Sequence, residues 1–173
     1  MLPLETHRLI LRKMQPQDAK DMYELNNDPD VLLYTGDKPF ASIGEAKAFI
    51  EKYYDNHEDG YGRLSVFLKD NSKYIGWCGL KHHNDENQTE IGYRLKKQFW
   101  NRGFATEAAL ACLHHGFTTL DLHIIYGRVM KENDASIRVL EKIGLNYFEE
   151  KMFDEDPGWH YCIKRNEFKL PSF

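Results

Sequence analysis

Between residues 63 and 95 the chain holds three β-rich runs in succession, 63–68, 74–81 and 90–95, and the segments joining them are short and polar. The first connector is Lys69-Asp70-Asn71-Ser72 and the second covers 82–87. Parallel neighbours need a crossover of about a dozen residues or more. Connectors this short therefore dictate an antiparallel meander. The chain ahead of the meander reads as a strand over 8–13, a helix over 18–26 and a helix opened by a capping box at Ser42 and Glu45 and running to about Tyr54. Ala19, Met22 and Leu25 give the first of these helices one apolar face, and Asn27-Asp28-Pro29-Asp30 breaks it. Residues 55–61 are polar and read as a loop.

After the meander come an alanine-rich helix over 103–120, a strand over 124–129, and a helix over 133–143 stopped by Gly144 as a C-terminal cap. Two strands, 145–153 and 160–164, close the chain around a turn at 154–158. Helices and strands alternate only in this second half, which implies an α+β fold with a mostly antiparallel sheet flanked by helices. A length of 173 residues suits one domain over 1–173.

Composition narrows the function classes. With 42% hydrophobic residues the chain can build a core. A net charge of -4 with both signs interspersed argues against a nucleic-acid partner, which requires a basic face. No stretch reaches the roughly 20 apolar residues of a membrane span, and the first residues lack a long apolar segment. Three cysteines, Cys78, Cys112 and Cys162, show no CxxC spacing. Free thiols in a reducing, cytoplasmic setting are the simple expectation.

The segment with chemical content runs from Glu90 to Ala108. It passes from a strand through a short basic turn into the alanine-rich helix. A helix start presents free backbone N–H groups and partial positive charge, and so suits phosphate. Gly103 allows close approach to the backbone, and Arg102 adds a charge. A plain strand-to-helix connection with a flexible glycine accounts for the same pattern equally well.

Here the sequence resembles a family. Glu90-Ile-Gly-Tyr-Arg-Leu95 and Phe99-Trp-Asn-Arg-Gly-Phe-Ala-Thr-Glu-Ala108 are similar to the acyl-CoA-binding motif of the GNAT N-acetyltransferases, more narrowly of their RimJ/RimL branch. Thr6-His-Arg-Leu-Ile-Leu-Arg12, Asp18-Ala19 and Asn133-Asp-Ala-Ser-Ile-Arg-Val-Leu-Glu-Lys-Ile-Gly-Leu145 resemble the same branch. Two positions depart from the pattern: Trp100 stands in place of Gln or Arg, and Asn101 stands where glycine is usual. Asparagine tolerates left-handed backbone better than most residues.

The resemblance implies acetyl-CoA as cosubstrate, no metal, and a sheet that splays between strand 90–95 and the strand after the main helix. It implies that Asn101, Arg102, Gly103, Phe104, Ala105 and Thr106 hold the pyrophosphate. Tyr93, Arg94 and Leu95 would meet the pantetheine arm and the thioester oxygen through their backbone. It implies Ser136 as hydrogen-bond donor to the departing sulfur, because Leu140 occupies the position where many members have a tyrosine. Asn133 would either cap its helix or bind the pantetheine. The proton acceptor would be Glu155, with Glu90, Asp154 and a water relay as alternatives. The acceptor would be a primary amine, on a small molecule or a protein N-terminus. It would enter between the loop at 28–40 and the acidic turn at 154–159, and a homodimer is left open as the assembly. A catalytically silent CoA-binding module is the competing reading.

His82-His83 and His114-His115 lack the i, i+4 spacing with which a helix grips zinc. Tyr53, Tyr54, Tyr61, Trp77 and Trp159 suit either an aromatic core or the wall of an acceptor cleft.

Overall fold

The structure is a computed structural model that describes residues 3–57, 60–153 and 156–169. In chain order it contains β1 (Leu4–Glu5), β2 (Leu9–Lys13), α1 (Ala19–Leu25), α2 (Pro29–Leu32), α3 (Ile43–Tyr53), β3 (Gly62–Leu68), β4 (Tyr74–His83), β5 (Gln88–Leu95), α4 (Phe104–Thr118), β6 (Ile124–Met130), α5 (Asp134–Lys142), β7 (Asn146–Phe153) and β8 (Asp156–Lys164). Eight strands form one mixed sheet in the order β1-β2-β3-β4-β5-β6-β8-β7. The meander β3-β4-β5 is antiparallel throughout, with Gly76 facing Leu95 at one end of the β4–β5 ladder and His83 facing Gln88 at the other.

The one parallel contact, β5 with β6, is a single register pair, Glu90 with Tyr126. Beyond that pair the strands diverge, so residues 91–95 pair with β4 alone. The expected splay is therefore present, with its closed end at Glu90.

Two cores cover the two faces. On one face α4 lays Phe104, Ala108, Ala109, Cys112 and Leu113 against Leu64, Val66, Ile75, Cys78, Leu80 and Ile91. Leu113 and Ile75 are completely buried, and each such side chain contributes roughly 1.5–3 kcal/mol. On the other face α1 and α3 set Met22, Leu25, Ala46 and Ile50 against Tyr74 and Trp77.

The helix signals hold with small changes. Ala19, Met22 and Leu25 are all buried. The Ser42 hydroxyl accepts from the Glu45 N–H, but the Glu45 carboxylate reaches back to the N–H of Ala41, one residue ahead of the cap. Gly144 follows α5 at φ +92°, and the Leu145 N–H returns to the Leu140 carbonyl.

Three elements differ from expectation. Pro29 does break α1, yet it also starts a four-residue helix, because Asp28 caps it by accepting from the Asp30 N–H. Leu4–Glu5 adds a short edge strand to β2. The last strand begins at Asp156, so Asp156, Pro157 and Gly158 belong to the ladder with β7 and not to the expected turn. Among the described residues no helix is long and apolar enough to cross a membrane.

Candidate active site

A cleft of about 800 Å³ opens where β5 leaves β6. Its walls come from β5, the turn before α4, the first turns of α4 and α5, and the segment after α2. It brings together Glu90, Tyr93, Arg94, Leu95, Asn101, Gly103, Phe104, Ala105, Thr106, Asn133 and Ser136, all singled out from sequence. Arg102 is not part of the wall. Its guanidinium lies over the rings of Phe104 and Phe99, at 5.0 and 5.9 Å from their centroids. Asp154 and Glu155 lie outside the described residues.

The start of α4 is built differently from the other long helices. Ser42 caps α3 and Asn133 caps α5 with a side-chain oxygen. Gly103 caps α4 with none, at φ +77°. The first helical bond of α4 runs from the Glu107 N–H to the Gly103 carbonyl. The N–H groups of Phe104, Ala105 and Thr106 thus have no helical acceptor. Asn101 is also left-handed, at φ +58°, a conformation asparagine adopts more readily than other side chains. A Cβ on Gly103 would come within 3.4 Å of the Arg8 guanidinium and would require a backbone angle that L-residues rarely adopt. These features fit an anionic pyrophosphate.

Arg8 and Glu107 hold this start in place. The Glu107 Oε1 accepts from the Thr6 hydroxyl at 2.6 Å and from the Arg8 N–H at 2.8 Å, while Oε2 accepts from the Arg8 Nε at 2.6 Å. Burial pushes the Glu107 carboxyl up, but the bonds from Thr6 and Arg8 outweigh it, and the group sits below its ordinary value. The same Arg8 donates to the Arg102 carbonyl at 3.1 Å and covers the Phe104 ring. Arg12 and Asp18 form a second clamp, with two bonds of 2.8 Å between them.

On the α4 face, Tyr93 and Ser136 meet. Their hydroxyl oxygens are 2.9 Å apart, and the Tyr93 hydroxyl also lies 3.0 Å from the Ser136 carbonyl, to which it can donate. Burial pushes the Tyr93 phenol far up, against the lowering effect of its bond to Ser136, so it remains protonated. Asn133 accepts from the Ser136 N–H at 3.1 Å, the capping alternative, and its amide N–H groups have no acceptor among the described residues. Leu140 is buried.

On the opposite face Arg94 is spent within the protein. It donates to Asn26 and to Asp37, both at 2.7 Å, and lies over the Trp77 ring. Burial lowers its guanidinium from the ordinary value, with Asp37 opposing. Sequence reading missed this group, because the pairing of Arg94 with Asn26 and Asp37 spans more than 50 residues and carries no local signal. Glu90 closes the splay: its Oε2 is 2.7 Å from the Arg128 Nε and 3.3 Å from the His83 Nε2. Of the aromatic candidates, Trp77 lines the cleft, and Tyr53, Tyr54, Tyr61 and Trp159 do not.

A model of the acetyltransferase (GNAT) domain matches residues 8–146. The chain belongs to the GNAT acetyltransferase family. This GNAT chain is 37% identical over 145 residues to a Bacillus licheniformis protein named uncharacterized N-acetyltransferase p20, covering 83% of this chain and 82% of that one. It is 26% identical over 149 residues to the spermidine N(1)-acetyltransferase of Escherichia coli K12, covering 86% and 78%. The crystal structure of a GNAT-family acetyltransferase from Bacillus anthracis superposes with a TM-score of 0.81 at 28% identity, covering 96% of this chain and all of that one. As a GNAT acetyltransferase the chain is an acetyl-CoA-dependent transferase.

Proposed function

We propose that this GNAT enzyme transfers acetyl from acetyl-CoA to a primary amine, on a small molecule or a protein N-terminus, as a member of the RimJ/RimL branch. One observation carries the reading. A single cleft crosses the sheet at the splay and joins the open start of α4 to the Trp77 and Arg94 face. A cosubstrate on one side and an acceptor on the other can meet there. The relative named spermidine N(1)-acetyltransferase supports an amine as acceptor.

Acetyl-CoA supplies an activated thioester. Asn101, Gly103, Phe104, Ala105 and Thr106 bind its pyrophosphate through backbone N–H groups, and the neighbouring Arg102 adds positive charge. Tyr93, Arg94 and Leu95 present the backbone edge that β6 leaves free, which orients the pantetheine and aims N–H groups at the thioester oxygen. Asn133 offers its free amide N–H groups to the same arm. Ser136 donates to the sulfur as the thiol leaves, and Tyr93 fixes the Ser136 hydroxyl. A thiol pKa of about 8.5 makes the thiolate a tolerable leaving group, so one hydrogen bond suffices.

We place the proton acceptor at Glu155 and read Glu90 as the strut that pins β5 to Arg128. An acceptor screen that follows thiol release, with mass spectrometry of the product, tests the proposal. Acetyl-CoA binding without turnover on any primary amine would favour a silent CoA-binding module.

A further inference from the structure

The acceptor side of the cleft carries a cation that no carboxylate among the described residues neutralises. Three carboxylates line the cleft, and each already has a basic partner: Asp30 with Lys97, Asp37 with Arg94 and Glu90 with Arg128. Arg63, at the start of β3, lines the same cleft and has no carboxylate within ion-pair distance among the described residues. Its position is fixed from two directions. The Tyr54 hydroxyl donates to its carbonyl at 2.6 Å, and its N–H donates to the Tyr53 hydroxyl oxygen at 3.1 Å. Its guanidinium lies 4.3 Å from the Trp77 ring centroid, with Phe49 and Tyr53 at 6.0 and 5.9 Å. Trp77, 6% exposed, keeps its indole N–H buried with no acceptor among the described residues.

An unpaired guanidinium and a buried, unpartnered indole N–H thus belong to one cluster with Arg94, on the face away from the α4 start. The flat fork of a guanidinium matches a carboxylate with two parallel bonds, and holding it on an aromatic platform removes most of the ordering cost. A second ammonium on the acceptor would instead meet an unneutralised guanidinium, an arrangement that selects against polycations.

We infer that the acceptor is an amine that also carries a carboxylate, an amino acid or a closely related amino-carboxylate, and that Arg63 is the residue that selects it. The inference rests on the amine-acceptor reading above and deepens it.

The test uses the purified chain, acetyl-CoA and thiol release, with amino acids, their matched carboxamides and linear polyamines as acceptors. We expect kcat/KM for the best amino acid to exceed that of its carboxamide at least tenfold. Arg63→Gln should raise KM for the acid until acid and amide are alike, and Arg63→Lys, which keeps the charge but not the fork, should fall between. Equal use of acid and amide by the wild type overturns the proposal, as does an unchanged ratio in a folded Arg63→Gln protein. Turnover with polyamines alone sinks the proposal and leaves the amine-acceptor reading standing. Turnover with no amine sinks both. Should Arg63→Gln fail to fold by circular dichroism, the wild-type ratio and Arg63→Lys decide.

Discussion

Glu107 offers a perturbation whose size follows from which oxygen each donor uses. The Thr6 hydroxyl and the Arg8 N–H both bond to Oε1, and the Arg8 Nε bonds to Oε2. Glu107→Ala removes both acceptor oxygens, and with them three bonds, and leaves the Thr6 donor buried. Hydrogen bonds to a charged group contribute about 1.5–3 kcal/mol each when shielded. The Arg8 side chain is 41% exposed, and its share is discounted for solvent screening. Taking the two bonds to Oε1 at the low end of that range and the screened Arg8 Nε bond as negligible gives a total of about 3 kcal/mol, which for a chain of this length lowers Tm by roughly 6–12 °C. Glu107→Gln keeps a carbonyl oxygen for Thr6 and the Arg8 N–H and loses the charge toward Nε, so its cost is about 1 kcal/mol or less. The pH dependence has a fixed sign. The folded carboxyl lies below its unfolded value of about 4.3. Its stabilisation is complete above that value and is lost as pH falls through the folded pKa. Urea unfolding of the three proteins between pH 3 and 7 measures this. Equal losses for Gln and Ala, or a wild-type stability that does not fall in acid beyond that of Glu107→Ala, would refute the division between the two oxygens.

Three further outcomes are expected. Gly103→Val forces a β-branched residue to φ +77° at the open start of α4 and should abolish acetyl-CoA binding in calorimetry while the fold persists. Ser136→Ala should lower turnover on the order of tenfold, about 1.4 kcal/mol, with acetyl-CoA affinity largely intact. Tyr93→Phe should give a smaller loss and add little to Ser136→Ala, since both act through one hydroxyl. Glu155→Gln should lower kcat and change its pH profile, whereas Glu90→Gln should lower stability and leave the pH profile in place.

The parts of this fold that were legible in sequence are those set by neighbours along the chain. Short polar connectors forced the β3-β4-β5 meander, and Gly144 and Ser42 marked helix ends through bonds that span no more than five positions. The turn 101–106 was legible only in part: a glycine at a helix start is a local signal, but its residues alone fitted a plain connection equally well, and the family-like motif singled it out. Family-like motifs at Arg8, Arg12, Asp18 and Glu107 were visible as patterns, but their work was not. They prove to be cross-links between distant segments that hold the start of α4 and the start of α1. The last strand was placed too late because Pro157 and Gly158 read as a turn, while the ladder with β7 overrides that local preference.

Charge was the least legible property of the site. Along the chain, 27 acidic residues against 23 basic ones suggest an acidic surface that attracts cations. The fold distributes the pairs unevenly. Asp37 comes to Arg94 across 57 residues, and Glu90 comes to Arg128 across the splay. With these pairs and Asp30–Lys97 set aside, the basic side chains left on the cleft wall without a carboxylate partner among the described residues are Arg63, Arg138 and Lys142. Arg138 and Lys142 stand on α5, beside the proposed cosubstrate path, where phosphate groups would answer them. Arg63 stands on the opposite face, against Trp77, and is the cation the proposal assigns to the acceptor. The charge that decides acceptor choice is therefore a remainder fixed by long-range pairing, and no count along the sequence yields its sign.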